Sequence, residues 1–240
     1  MLIRTEGIVL KTFEYGDADL IATYFTKDHG VLKGFVKGAR KFKSRFGSSV
    51  EPLTHANLSF LGKENTQLPK VTRSDILNSF QTLREDLATL LAIASVINLL
   101  IHLLQEKEPN SRKYDLFLAA LKTLEQAENR DVVCLVFRIK FLWMAGYGPR
   151  VAECGCCGTR FKGSFGLFYP SYGSLLCRAC ASKYAQQTAT RLGSAAIKFF
   201  GQAKSLRFGH ILTLRPETAT LIEVQNVLNL HISHLTGKKP

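Results

Sequence analysis

Leu20-Ile-Ala-Thr-Tyr-Phe-Thr26, the tight turn Lys27-Asp-His-Gly30 and Val31-Leu-Lys-Gly-Phe-Val-Lys-Gly38 are the stretch from which the fold of this chain is read. β-Branched and aromatic residues fill both arms, so the stretch predicts two strands joined by a turn. Upstream, Ile3 to Thr12 alternates in the same way and Glu14 to Asp19 reads as a turn. Downstream, a glycine- and serine-bearing loop leads to a fourth strand, His55 to Leu61, and a fifth around Lys70 to Asp75. Short strands at roughly 8–12-residue spacing predict a small barrel or sandwich. A five-stranded barrel of the oligonucleotide-binding (OB) type fits the length.

From Asp75 the period changes. Leu83, Leu87, Leu90, Leu91, Ala94, Ile97, Leu100, Ile101 and Leu104 recur at three- and four-residue steps, which predicts one long core-facing helix ending before Pro109. Asp115 to Ala127 and Asp131 to Ala145 predict two more, the latter capped by Asp131 and stopped at Gly146-Tyr-Gly-Pro149. Ser194 to Ser205 and Glu217 to Leu235 complete the helices, and Lys238-Lys-Pro240 reads as a frayed basic end. The expected class is therefore α+β. Residues 1–78 are expected to form an OB domain and residues 79–240 a helical domain, with an insertion at about 147–185.

That insertion holds Cys154-Gly-Cys156-Cys157-Gly158 and Cys177-Arg-Ala-Cys180, separated by the 19 residues Gly158 to Leu176. Paired Cys-x-x-Cys knuckles at this spacing are the pattern of a four-thiolate zinc ribbon. Four sulfurs leave zinc no open position, so one structural Zn²⁺ is expected on Cys154, Cys157, Cys177 and Cys180. Cys156 blurs the register, but only Cys154 with Cys157 gives the two-residue gap. Gly158 suits a knuckle turn that needs positive φ. Disulfides and an iron–sulfur cluster use the same residue type. A thioredoxin-like site needs one Cys-x-x-Cys at a helix start rather than two. Cys134, within Val132-Val-Cys-Leu-Val-Phe137, reads as a buried core thiol.

The chain has 240 residues, 46% of them hydrophobic, enough for real cores. Leu87 to Leu104 is interrupted by Thr89, Ser95, Asn98 and His102, so it reads as a buried helix and not a membrane span. Met1-Leu-Ile-Arg4 has no signal-peptide architecture. A reducing cytoplasm, in association with the nucleoid, is the expected setting. The net charge of +13 is unevenly placed: +4 over residues 1–80, −2 over 81–137, +10 over 138–220 and +1 over 221–240. Such a field attracts polyanions, nucleic acid above all.

The sharpest basic feature spans the third strand and the loop after it. Lys33, Lys37, Arg40, Lys41, Lys43 and Arg45 follow one another with no acid between them, and Phe35, Phe42 and Phe46 are interleaved. Cations that track phosphates and aromatic faces that stack on bases bind single-stranded nucleic acid. Phe35, on a strand, is expected to fold back onto the barrel. Lys33, Lys37, Arg40, Lys41, Phe42, Lys43, Arg45 and Phe46 are the candidate DNA-binding residues. Arg150, Arg160, Lys162, Arg178 and Lys183, which flank the cysteines, are a secondary set for a second strand or duplex.

An N-terminal barrel, the Lys37-Gly-Ala-Arg-Lys-Phe-Lys-Ser44-Arg stretch, a helical middle and the paired cysteine knuckles occur together in this order. In these features the chain resembles the bacterial RecO family of recombination mediators over essentially its whole length. One departure is Phe42, where the family often carries proline. The resemblance implies binding of single- and double-stranded DNA and annealing of complementary strands. It also implies work with RecR and RecF, engagement of the acidic C-terminal tail of single-stranded-DNA-binding protein, and loading of RecA. Some members lack the cysteines, which implies a supporting role for the metal. A different reading of the same charge and aromatics is an RNA- or ribosome-associated zinc-ribbon and OB protein without catalytic activity; recognition of the 2′-hydroxyl separates the two.

No enzyme is expected. Gly62-Lys63-Glu64 lacks the remainder of a phosphate-binding loop, so no nucleotide is expected. His231 and His234 lie three apart on a predicted helix but have no third ligand, so they read as core or surface histidines. Asp17 and Asp19 read as turn formers. A two-metal nuclease needs clustered acids, and residues 138–220 hold only Glu153 and Glu217.

Overall fold

The computed structural model describes residues 2–63, 66–161, 165–184 and 186–237. The chain divides into two compact units, Met1–Glu125 and Gln126–Pro240.

In the first unit β1 (Leu2–Tyr15), β2 (Asp19–Thr26), β3 (Gly30–Val36), β4 (His55–Leu61) and β5 (Lys70–Asn78) close a barrel in the order β1-β2-β3-β5-β4. β1 pairs antiparallel with both β2 and β4, and β3 meets β5 in parallel at Phe35 and Lys70. This is the predicted OB barrel. Its interior is filled by Val9, Ala22, Tyr24, Leu32, Val36, Ala56, Leu58, Phe60 and Val71, with Tyr24 and Phe60 edge to face at 5.5 Å. These are the alternate residues that a half-buried strand turns inward. A register shift between Val9 and Lys11 re-aims β1 partway along its length. β1 also runs three residues beyond the predicted Thr12, which places Phe13 on the strand and Tyr15 on the strand and not in the predicted turn.

A short helix, α1 (Gln81–Arg84), precedes α2 (Leu87–Leu103). The predicted single helix from Leu83 is thus broken, because Asp86 takes an extended conformation and caps α2 by accepting from the Thr89 amide at 3.0 Å. α3 (Ser111–Gln126) begins four residues before the predicted Asp115, since Asn110 accepts from the Lys113 amide at 3.0 Å. α3 lies on the barrel: Tyr114 is fully buried with its ring 5.5 Å from that of Phe25. The α2–α3 connection is pinned there too, with the Lys107 amide donating to the Val31 carbonyl at 3.1 Å.

The second unit opens with α4 (Arg130–Met144). Its cap is Asn129, which accepts from the Val132 amide at 3.3 Å; the predicted cap, Asp131, sits in the first turn instead. Val132 to Ile139 is buried throughout, including Cys134 as predicted. β6 (Phe165–Tyr169), β7 (Ser174–Leu176), the short α5 (Arg178–Ala181) and β8 (Thr190–Gly193) follow, and the strands form a sheet in the order β7-β6-β8. α6 (Ser194–Ser205) and α7 (Thr218–Thr236) pack with α4. Arg138 is buried among them, its guanidinium donating to Asn229 Oδ1 at 2.6 Å, and burial pushes it down to about 10. Among the described residues, no helix is long and apolar enough to cross a membrane.

Candidate functional site

Two groups of side chains carry chemistry, one in each unit. In the second unit the Sγ atoms of Cys154, Cys157, Cys177 and Cys180 all lie within 4.8 Å of one another. The first knuckle is a tight turn in which the Gly158 amide donates to the Cys154 carbonyl at 2.9 Å, and Gly158 has φ +71°, the conformation its position in the motif predicts. Gly155 has no room for a side chain, because a Cβ there would collide with Ser174 Oγ. The second knuckle is held by the Cys180 and Ala181 amides, which donate to the Cys177 carbonyl at 3.0 and 2.8 Å. The knuckles pack on the sheet through Cys154, Tyr169, Leu176 and Ala181.

The donor set fits one tetrahedral ion. With metal–sulfur bonds of about 2.3 Å, the edge of a tetrahedron is about 3.8 Å, and Cys157 and Cys177 are 3.7 Å apart. A disulfide needs about 2.05 Å, and an iron–sulfur cluster needs room for several irons and bridging sulfides between its cysteines. The sulfurs are also prepared for a cation. Hydrogen bonds from the Thr159 hydroxyl and amide push Cys157 down to about 6. Burial raises Cys154, but the amides of Cys177, Cys157 and Cys156 outweigh it and bring the thiol down. Cys180 is raised because it shares a hydrogen bond with Cys177. Sulfurs this crowded compete for protons until a cation lies between them. Cys156 is exposed and stands outside the cluster.

In the first unit the loop after β3 is a run of turns tied to the β1–β2 turn. The Gly38 amide donates to Asp19 Oδ1 at 2.6 Å, the Arg40 amide to the Ala18 carbonyl at 2.9 Å, and the Ser44 amide to the Lys41 carbonyl at 2.9 Å. Asp19 is thus a turn former, as predicted, and also the anchor of the basic loop. Lys37, Arg40, Lys41, Lys43 and Arg45 are exposed and Phe42 is fully so.

Three of the predicted residues differ from expectation. Phe46 is 4% exposed and lies in the barrel core, with the Arg45 guanidinium 4.9 Å over its ring, so it stabilises the loop base and offers no face to a nucleotide. Lys33 pairs with Glu106 of the α2–α3 connection. Arg40 pairs with Glu14 at 3.0 Å. No carboxylate pairs with Lys37, Lys41, Lys43 or Arg45 among the described residues.

Of the secondary set, Arg150, Arg160, Arg178 and Lys183 are exposed on the cysteine segment, Arg150 donating to the Tyr172 carbonyl at 3.3 Å. Lys162 lies outside the described residues, as do Glu64 of the Gly62-Lys63-Glu64 stretch and the basic end Lys238-Lys-Pro240. His231 is a core histidine: its Nε2 is 2.7 Å from the Tyr147 carbonyl, its ring is edge-on to Phe168, and burial holds it below its ordinary pKa. His234 is exposed on the same helix. The cysteine cluster is the one metal-competent group among the described residues. Beside it is an apolar groove lined by Phe161, Phe165, Leu167, Tyr169 and Leu176, with Arg178 also in its wall. Arg191 lies 4.6 Å over the Phe165 ring. The sequence carried no periodic signal for the groove, because its strands are three to five residues long.

Comparison with known proteins matches both units. Residues 1–80 match the family model for the recombination protein O N terminal region, and residues 84–240 match that for its C terminal region. The chain is 38% identical over 240 residues to the DNA repair protein RecO of Thermodesulfovibrio yellowstonii, covering 99% of this chain and 94% of that protein. It is 28% identical over 237 residues to the DNA repair protein RecO of Syntrophus aciditrophicus, covering 98% and 92%. The corresponding protein of Bacillus pumilus is 29% identical over 238 residues, covering 99% and 90%.

Proposed function

The chain belongs to the recombination protein O family, and from that premise we propose that it is a DNA-repair protein that binds single- and double-stranded DNA and anneals complementary strands without nucleotide hydrolysis. The observation that carries this reading is the exposed loop from Lys37 to Arg45. It presents five cations, four of them free of carboxylate partners among the described residues, around a fully exposed Phe42. Two like-charged strands repel, and a surface that neutralises their phosphates lowers that barrier. The loop holds one strand. Arg150, Arg160, Arg178 and Lys183 on the cysteine segment hold the second strand or a duplex.

The ion on Cys154, Cys157, Cys177 and Cys180 is a structural Zn²⁺. Four thiolates match its preferred ligand number and leave no open position for substrate. Bound there, it supplies a cross-link and no reactive group, and the four cysteines hold the basic knuckles against the sheet.

Partners follow from the same premise: RecR, RecF and the acidic C-terminal tail of single-stranded-DNA-binding protein, acting together to load RecA. An acidic tail that ends in apolar residues needs an apolar groove with nearby cations. The groove beside β6 and β7, with Arg178 and Arg191, supports that assignment. The test is binding of matched single-stranded DNA and RNA at fixed salt. Tighter binding of DNA, with annealing in the absence of ATP, is expected. Binding confined to RNA contradicts the reading.

A further inference from the structure

The outer face of the first three strands carries an aromatic strip that the loop does not account for. Phe13 is 54% and Tyr15 56% exposed. In the sheet register Phe13 lies opposite Ile21, Ile21 opposite Phe35, and Phe35 opposite Lys70. The Tyr15 ring meets the edge of the half-buried Phe35 with centroids 5.8 Å apart, and the Lys11 ammonium sits 4.8 Å over the Phe13 ring. Lower on the same face, Ile8, Phe25 and Val31 are buried, Phe25 against Tyr114 of α3 and Val31 against the α2–α3 connection. The cover stops short of Phe13 and Tyr15. A strand that needs only a solvated face has no use for two large apolar rings on adjacent outward positions.

The strip runs into the basic loop. Tyr15 pairs with Asp19, Asp19 holds the Gly38 amide, and Glu14 pairs with Arg40. These contacts tie the end of β1 that carries the rings to the loop that carries Lys37, Lys41 and Lys43 and engage two of the neighbouring acids, while Asp17 stays exposed in the β1–β2 turn. Residues two apart on a strand are about 6.8 Å apart, twice the roughly 3.4 Å between stacked bases in one strand of a duplex. A base on each ring therefore requires an extended, unstacked strand. In a duplex the base faces are already covered by their neighbours.

We propose that Phe13 and Tyr15, backed by Phe35, form a base-stacking platform that gives the barrel a preference for unpaired over paired DNA. The inference rests on the DNA-binding reading above. The loop cations supply affinity for either form, and the rings supply the discrimination.

The experiment measures fluorescence anisotropy of the full chain with a labelled 30-nucleotide oligothymidine and with a 30-base-pair duplex, at one salt concentration. The variants are Phe13→Ala/Tyr15→Ala, the ring-preserving Phe13→Tyr/Tyr15→Phe, and Lys41→Ala/Lys43→Ala. Loss of the rings should weaken single-strand binding at least about fivefold, the lower bound for one lost stack. Duplex binding should stay within about twofold, and the ring-preserving variant should behave as wild type. Equal loss for both forms, or no loss for the single strand, overturns the platform. If only the lysine variant loses binding, the DNA-binding reading stands and the platform falls. If the wild type binds neither oligonucleotide, both fall. A Phe13→Trp variant gives a second measure, since stacking should quench its added fluorescence on oligothymidine and leave it unchanged on duplex.

Discussion

Asp19 and Gly38 are joined by a hydrogen bond of 2.6 Å from the Gly38 amide to the Asp19 carboxylate, and this bond anchors the basic loop to the barrel. It makes a prediction in which geometry opposes charge. Asp19→Ala removes a negative charge beside the loop, which by electrostatics alone strengthens DNA binding. Anchoring outweighs the charge, so Asp19→Ala should weaken single-strand binding several-fold, whereas Asp19→Asn, which keeps an acceptor, should bind as tightly as wild type or better. Titrations of both variants at one salt concentration decide the matter.

The loop cations are not equivalent. Each free phosphate contact contributes about 0.7 to the slope of log affinity against log salt for single strands. Lys41→Ala/Lys43→Ala should therefore flatten the slope by about 1.4. Lys33, already paired with Glu106, should leave it nearly unchanged when replaced by Ala. A slope insensitive to Lys41 and Lys43 removes the loop from the binding site.

The barrel and the cysteine ligands were legible in the sequence, because a two-residue period and a two-residue ligand gap are local signals. The helix starts were less so. Asn110 and Asn129 are ordinary capping residues, but Asp131 offers the same chemistry two positions later, and only the folded backbone separates them. The fate of Phe46 was not legible. It lies in a basic loop and looks like a stacking residue until a short turn at Gly47–Val50 carries it into the core. The partners of Lys33 and Arg40 were hidden as well. Glu106 is 73 residues from Lys33, and no periodicity reports such a pairing.

Metal content gives an independent check on the cysteine assignment. Wild-type protein should carry one zinc per chain by elemental analysis, and Cys156→Ser should keep it, because Cys156 lies outside the cluster. Cys157→Ser and Cys177→Ser should lose the ion. Either variant should lower the unfolding midpoint by more than about 5 °C, as a loss of a few kcal/mol does in a chain of this size. A zinc-loaded Cys157→Ser protein contradicts the ligand set.

Acid should destabilise the second unit through His231. Burial holds its folded pKa below the ordinary 6.5, so below that pH the unfolded chain takes up a proton that the folded chain refuses. Stability is then level above about pH 7 and declines as pH falls through 6.5, by at most about 1.4 kcal/mol per pH unit for this one group. His55 in the first unit is lowered by burial in the same direction. Urea midpoints at pH 8 and pH 5 should differ less for His231→Gln, which retains a donor for the Tyr147 carbonyl, than for wild type. An unchanged difference assigns the acid sensitivity to other groups.

Strand annealing through the Lys37–Arg45 loop is tested by the rate at which two complementary labelled oligonucleotides anneal, without ATP, with wild-type protein and with Lys41→Ala/Lys43→Ala. Annealing through this loop requires a rapid reaction with the wild type and a loss of at least about tenfold in the variant, as two lost charge-assisted phosphate contacts imply. Equal rates for both proteins, or no acceleration over the spontaneous reaction, contradict it.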